Sequence, residues 1–243
     1  MPKIVKQVKE SAAYSVVRAS KNRLAWLVFE RGLADTAGTI EVEELGLEDP
    51  DHKRYEASSW TWVRRALRRC EVRPTDVFVD FGSGKGRVVW QAAQYPFAWV
   101  VGVEISAQLN AVARRNIEDN LDRLTCRNVE LITTDAADFQ VPDDMTFAYF
   151  YSPFEGKVFQ GVIRSIIESF DRNPRALTLI YANPVLDDEV RGTGRFELVE
   201  VVKGLRPDTD ETSWVNIYSV RDPHQLDEAK GEQAAENASG EEP

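Results

Sequence analysis

Along the middle of this chain of 243 residues, short continuous apolar runs alternate with stretches in which apolar positions recur every three or four residues. Val77 to Phe81 is rich in β-branched and aromatic side chains, the pattern of a strand buried on both faces. Trp99 to Glu104, Val129 to Ile132, Phe147 to Tyr151 and Ala176 to Tyr181 repeat that pattern. Phe196 to Val202 and Trp214 to Val220 follow as a last pair of strands, joined by the loop 203–213. The helical stripes lie between: Val88, Val89, Ala92 and Ala93, closed by Pro96; Leu109, Val112, Ala113 and Ile117, with Ser106 in N-cap position; and Phe159, Val162, Ile163, Ile166, Ile167 and Phe170. Such alternation predicts an α/β fold, a doubly wound and mostly parallel sheet of seven strands with helices between the first six. A further helix is predicted ahead of the first strand, with Val63, Ala66, Leu67 and Cys70 inward, Arg64, Arg65, Arg68 and Arg69 on a solvated face, and Ser58 or Ser59 as N-cap.

The flanks read differently. Residues 3–31 carry seven bases against two acids, with Ile4, Val8, Ala12, Val16 and Val17 near helical spacing. They predict a basic amphipathic helix, read as an N-terminal cap with its charged face outward; a partner-docking or nucleic-acid-facing arm is the alternative. Gly32 to Asp51 has no sustained period and reads as a connector. From Asp222 onward seven acids face one lysine in a stretch of low hydrophobicity, which predicts a disordered tail. That tail holds more than half of the net charge of −10, so bulk charge says little about a substrate. The expected organisation is an arm and connector over 1–54, a folded domain over 55–221 and an acidic tail over 222–243.

Composition narrows the chemistry. Cys70 and Cys126 are too few for a disulfide framework and lack metal-ligand spacing, and His52 and His224 fall in the connector and the tail. Neither a zinc cluster nor a serine-histidine triad can easily be assembled, and no metal is expected. No apolar run approaches the ~20 residues of a membrane helix and no signal-peptide pattern opens the chain, so a soluble, cytoplasmic protein is expected.

Chemistry concentrates after the first strand. Asp80 ends the run, and Gly82, Gly84 and Gly86 follow at every second position before a helix begins. Glycines let the turn adopt left-handed angles and let a ligand approach the main chain. A dinucleotide fingerprint would need its third glycine at 87, which is Arg87; a nicotinamide oxidoreductase therefore ranks last among the readings. The run from Asp80 to Gly86 resembles the first motif of the class I S-adenosylmethionine (SAM) methyltransferases. The likeness continues in order: Glu104 after the second strand, Thr133-Thr134-Asp135-Ala136 after the third, and Tyr151-Ser152-Pro153-Phe154 after the fourth. It spans about residues 55–185 and extends to bacterial members sharing Phe81 to Arg87 and, more distantly, to non-SET protein-lysine methyltransferases.

The resemblance implies strand order 3-2-1-4-5-7-6 with the seventh antiparallel, and SAM as cofactor. It implies that Glu104 accepts from the two ribose hydroxyls, that Asp135 and the Ala136 amide read adenine, and that Asp80 orients the methionine ammonium. Gly82, Ser83, Gly84 and Gly86 form the turn against the cofactor, with Tyr55 and Trp60 as candidate lid residues over its methionine end. Tyr151, Ser152, Pro153 and Phe154 stand where the family faces its acceptor. Ser152 replaces the usual Asn or Asp, being shorter and offering one oxygen, which argues against a nucleic-acid base amine. The expected acceptor is an amine on a protein lysine or a small molecule. The alternative is a SAM-binding module without catalysis.

Overall fold

The apolar runs assemble into one sheet in a computed structural model that describes residues 53–152, 154–204 and 213–222, with Ser20, Leu33, Thr36, 38–41, 43–46 and Asp51. The basic helix expected over 3–31 (Ser20 aside), the tail beyond Asp222 and Pro153 lie outside the described residues. In chain order the elements are β1 (Thr39–Ile40), β2 (Tyr55–Glu56), α1 (Trp62–Leu67), β3 (Val77–Phe81), α2 (Arg87–Ala92), β4 (Trp99–Glu104), α3 (Ala107–Glu118) and β5 (Val129–Thr133). Then come β6 (Phe147–Phe150), α4 (Gly156–Arg172), β7 (Thr178–Ala182), α5 (Asp187–Gly192), β8 (Phe196–Val202) and β9 (Val215–Val220). The sheet order is β5-β4-β3-β6-β7-β9-β8, which is 3-2-1-4-5-7-6 counted from β3. The first five strands pair in parallel, and β9 runs antiparallel to both β7 and β8. β1 and β2 form a separate small ribbon.

Strand alternation sorts the core into two layers. Val79, Phe81, Val101, Val103, Ala148 and Phe150 face the side covered by Val158, Phe159, Val162, Ile163, Ile166 and Phe170 of α4. Phe78, Val100, Phe147 and Ile180 face the side covered by α1, α2 and α3 with Trp60 and Trp90. Burying both faces is what a parallel sheet requires, and it accounts for the near-continuous apolar runs.

Two details differ from the sequence expectation. The crossover from β5 to β6, residues 134–146, contains no helix. Its apolar residues follow no helical period and Pro142 removes a backbone donor; Phe139, Val141 and Met145 instead fill the core directly. At α1 the N-cap is Thr61 with no side-chain cap bond, while Ser59 Oγ accepts the Thr61 N–H at 3.4 Å. Ser106 does cap α3, accepting the Leu109 N–H at 3.3 Å. The arginines of α1 and the turn after it also do more than face water: Arg64 donates to Gln94, Arg65 to the Lys203 carbonyl at 2.6 Å, and Arg69 pairs with Glu200 at 2.8 Å. Among the described residues no helix is long and apolar enough to cross a membrane.

Candidate functional site

β3 lies between β4 and β6, with Asp80 opposite Gly102 on one side and Tyr149 on the other. This is the switch point of the winding, where loops diverge to opposite faces and leave a crevice at the carboxyl ends of the strands. A cavity of about 480 Å³ opens there. Tyr55, Asp80, Gly82, Ser83, Glu104, Asp135, Ala136, Tyr151, Ser152 and Phe154 all line it, although they span a hundred residues of chain.

The glycine turn is tied to β4. The amides of Gly82 and Ser83 both donate to the Val103 carbonyl, at 2.8 and 2.9 Å, and the Gly84 amide donates to Glu104 Oε2 at 2.8 Å. Glu104 Oε1 accepts the Ser106 N–H at 2.9 Å, so two amides fix this carboxylate at the cavity wall. Gly84 has φ +54°, and a Cβ there would drive into the Tyr55 ring. Tyr55 is anchored from its other end, its hydroxyl donating to the Thr36 carbonyl at 2.7 Å, and it closes the cavity over the turn. Gly86, at φ +79°, serves another purpose: its missing Cβ would lie 2.8 Å from Ala113 Cβ, so it brings α2 against α3. Neither Gly84 nor Gly86 is part of the cavity lining, to which the turn contributes Gly82 and Ser83. Trp60 is likewise no lid. It is buried, edge-on to Trp90 at 6.0 Å and beneath the Arg87 guanidinium at 4.7 Å.

Asp80 is 2% exposed. Burial pushes its carboxyl well above the ordinary range, and the Glu104 charge adds to the effect. Beside it the Tyr149 hydroxyl is buried, and burial followed by the Asp80 charge raises it well above an ordinary phenol, with the Ser58 side chain acting the other way. Asp135 Oδ1 accepts the Ala137 N–H at 2.9 Å, which shapes the turn after β5.

On the far side, Tyr151 packs edge-on to Trp62 at 5.0 Å, and buried Phe154 packs against Phe150 at 6.0 Å. Ser152 and Asn183 are the two non-glycine residues with positive φ among the described residues, at 40° and 50°. They are joined, the Ser152 hydroxyl donating to the Asn183 carbonyl.

Sequence reasoning missed Arg87, Ser58, Tyr149 and Asn183 as cavity-lining residues. The sequence marks Arg87 as the residue in place of a third glycine and as the end of the segment shared with bacterial methyltransferases, neither of which gives it a place in the cavity wall. Its guanidinium donates to the Ser58 carbonyl at 2.6 Å and to Thr36 Oγ1 and the Thr36 carbonyl at 3.1 Å each, fastening the connector to the sheet. The available signal was an arginine directly after the glycine turn, where the buried first turn of a helix rarely takes a charge without partners. Cys70 lies away from the cavity, its thiol pushed up to about 11 by burial and then by Glu200.

Residues 52–145 match the family model described as histone methylation protein DOT1. Over 72 residues the chain is 31% identical to the H3 lysine-79 specific histone-lysine N-methyltransferase of Eremothecium gossypii, covering 29% of this chain. It spans only 12% of that relative's length. Among solved structures, the RNA methyltransferase of Salinibacter ruber in complex with S-adenosyl-L-homocysteine is 22% identical with a TM-score of 0.50, covering 68% of this chain and 94% of that one. Precorrin 8W decarboxylase of Methanobacterium thermoautotrophicum is 18% identical with a TM-score of 0.51, covering 72% and 96%. The chain has the class I methyltransferase fold, and the part of it that carries the glycine turn, Asp80, Glu104 and Asp135 is similar to histone methylation protein DOT1.

Proposed function

We propose that this protein is a SAM-dependent methyltransferase whose acceptor is an amine, on a protein lysine or a small molecule. The observation that carries the reading is the single cavity in which the ends of β3, β4 and β5 bring Asp80, Glu104, Asp135 and the glycine turn against Tyr151 and Ser152 from the end of β6. The donor set fits a zwitterionic nucleoside. Glu104, already oriented by two amides, accepts from vicinal hydroxyls; Asp135 and the Ala136 amide meet an adenine edge; Asp80 faces an ammonium; Gly82 and Ser83 offer main chain without bulk. When bound, SAM supplies a sulfonium-activated methyl group, to which the acceptor's lone pair forms a bond while the carbon–sulfur pair stays on sulfur as a neutral thioether.

The chain's own task is then positioning and exclusion of water. Tyr55 and Arg87 hold the connector across the opening. Lys53 pairs with Glu155 and Arg54 with Glu56, and among the other charged groups at the wall the carboxyls of Glu41, Glu104 and Asp135 outnumber the Arg87 guanidinium, which favours a basic acceptor. The similarity of residues 52–145 to a histone methylation protein supports a protein lysine as one such acceptor.

Calorimetric titration with SAM, S-adenosylhomocysteine and NAD tests the cofactor. Micromolar binding of the first two and none of NAD is the expected result; a folded protein that ignores both would overturn the reading. A second reading, a binding module without catalysis, draws on the Ser152 hydroxyl being engaged by the Asn183 carbonyl. Transfer of radiolabelled methyl to any member of a panel of basic proteins and amines would remove it.

A further inference from the structure

Asn183 lies where β7 ends, beside the end of β6 that carries Ser152, and its backbone is held at every polar point. Its N–H donates to the Trp214 carbonyl at 2.9 Å, and its carbonyl accepts both the Val185 N–H at 2.8 Å and the Ser152 hydroxyl. Both residues are kept in the left-handed region that non-glycine residues avoid, a cost usually tolerated only where the surroundings impose it. The amide side chain of Asn183 is thus the one polar group of the residue not used by the fold. Asn183 lines the cavity, and its Oδ1, closed off in the empty protein, has no hydrogen-bond partner. An orphan buried acceptor is unfavourable in the empty protein and becomes favourable only when a donor arrives.

We propose that Asn183 orients the acceptor amine, its amide turning so that the closed-off Oδ1 meets the cavity and accepts an N–H from the incoming nitrogen, and that Ser152 is a positioning residue that holds the Asn183 backbone in place. The assignment rests on the methyltransferase reading above. It relocates the hydrogen-bond acceptor from the loop after the fourth sheet strand to the loop after the fifth, where a longer side chain with a carbonyl oxygen replaces the function a serine hydroxyl is too short to supply. Asn183 takes no proton. It fixes one N–H so that the nitrogen lone pair points along the line of transfer, and the amine loses its extra proton to solvent before it reacts. An acceptor lacking an N–H or O–H donor, such as a carboxylate, gains nothing from this oxygen and is disfavoured.

Sinefungin tests this without knowledge of the acceptor, because it carries a primary amine where SAM carries the transferred methyl. Calorimetry on the full chain should show sinefungin binding about tenfold tighter than S-adenosylhomocysteine, the worth of one hydrogen bond to a charged donor. Asn183→Gly, which tolerates φ of 50°, should lose that margin while its S-adenosylhomocysteine affinity stays within about twofold. Asn183→Asp should keep or widen the margin. A margin that survives Asn183→Gly, or no margin in the native chain, would overturn the assignment while leaving the cofactor reading intact. Failure of the folded native chain to bind either compound would instead remove the methyltransferase reading, and the role of Asn183 with it.

Discussion

The two halves of the cavity are built by different means. At the ends of β3, β4 and β5, unusual backbone is carried by glycine, and each polar group sits within a few residues of the strand that positions it: Asp80 on β3, Glu104 on β4, Asp135 just after β5. At the ends of β6 and β7 two left-handed positions, Ser152 and Asn183, are not glycine, and each depends on a partner 31 residues away. The match to a histone methylation protein covers 52–145 and so ends before the second half begins. A pocket for one fixed ligand can be made from local turn chemistry; a pocket whose partner varies can be made from strained positions that tertiary contacts hold.

The largest effect should come from the local half. Glu104→Ala removes the acceptor of two backbone amides as well as the proposed ribose contact. SAM affinity should fall tens-fold or more, at about 1.5 to 3 kcal/mol for each charge-assisted bond. Ser152→Ala, in the other half, should leave SAM affinity within about twofold. Calorimetry on both variants that found equal losses would erase the distinction. Arg87→Met comes next: the carbonyls of Thr36 and Ser58 lose a buried donor, and urea unfolding should show about 2 to 3 kcal/mol less stability.

Legibility in the sequence follows the same division. The strand runs, the α4 stripe and the glycine turn were readable because each depends on local periodicity or on a backbone angle only glycine adopts freely. Asp80, Glu104 and Asp135 were readable as strand-end acids. Asn183 was not, because nothing in Ala182-Asn183-Pro184 distinguishes a turn asparagine from one whose amide faces a cavity 31 residues from its partner. The helix expected between β5 and β6 failed for a related reason: alternation suggested it, but Phe139 and Val141 reach the core from turns. Trp60 was a lid candidate only through the family resemblance, since an aromatic residue before the first strand can equally be core, and the packing against Trp90 and Arg87 places it there.

The glycines themselves sharpen the comparison at smaller scale. Gly84→Ala should displace Tyr55 and weaken SAM binding several-fold, whereas Gly86→Ala, pressed against Ala113, should lower stability by about 1 to 3 kcal/mol with SAM affinity unchanged. Thermal melts and calorimetry on the pair decide it. A Gly86→Ala protein that loses affinity as Gly84→Ala does would mean that the whole turn acts as one ligand contact.

For Asp80→Asn the sign of the effect on the empty protein can be worked out. Burial, then the Glu104 charge, raises the folded carboxyl above its unfolded value. Below about pH 4 it is protonated in both states. As pH rises past that point the unfolded chain ionises first while the folded chain keeps its proton, so stability falls, by at most about 1.4 kcal/mol per pH unit, until the folded carboxyl ionises too. Asn cannot ionise, so the variant should be more stable than the native chain at neutral pH and show no gain below about pH 4. The same substitution removes the charge facing the cofactor ammonium, so SAM affinity should drop as stability rises. A cation arriving there should pull the folded carboxyl back down and release its proton, which calorimetry in buffers of different ionisation enthalpy reads directly for the native chain and should not find for Asp80→Asn. Parallel stability curves for the two proteins from pH 4 to 8 would mean that Asp80 is already ionised in the empty cavity, and that this end of the local half is set for its ligand's charge before the ligand arrives.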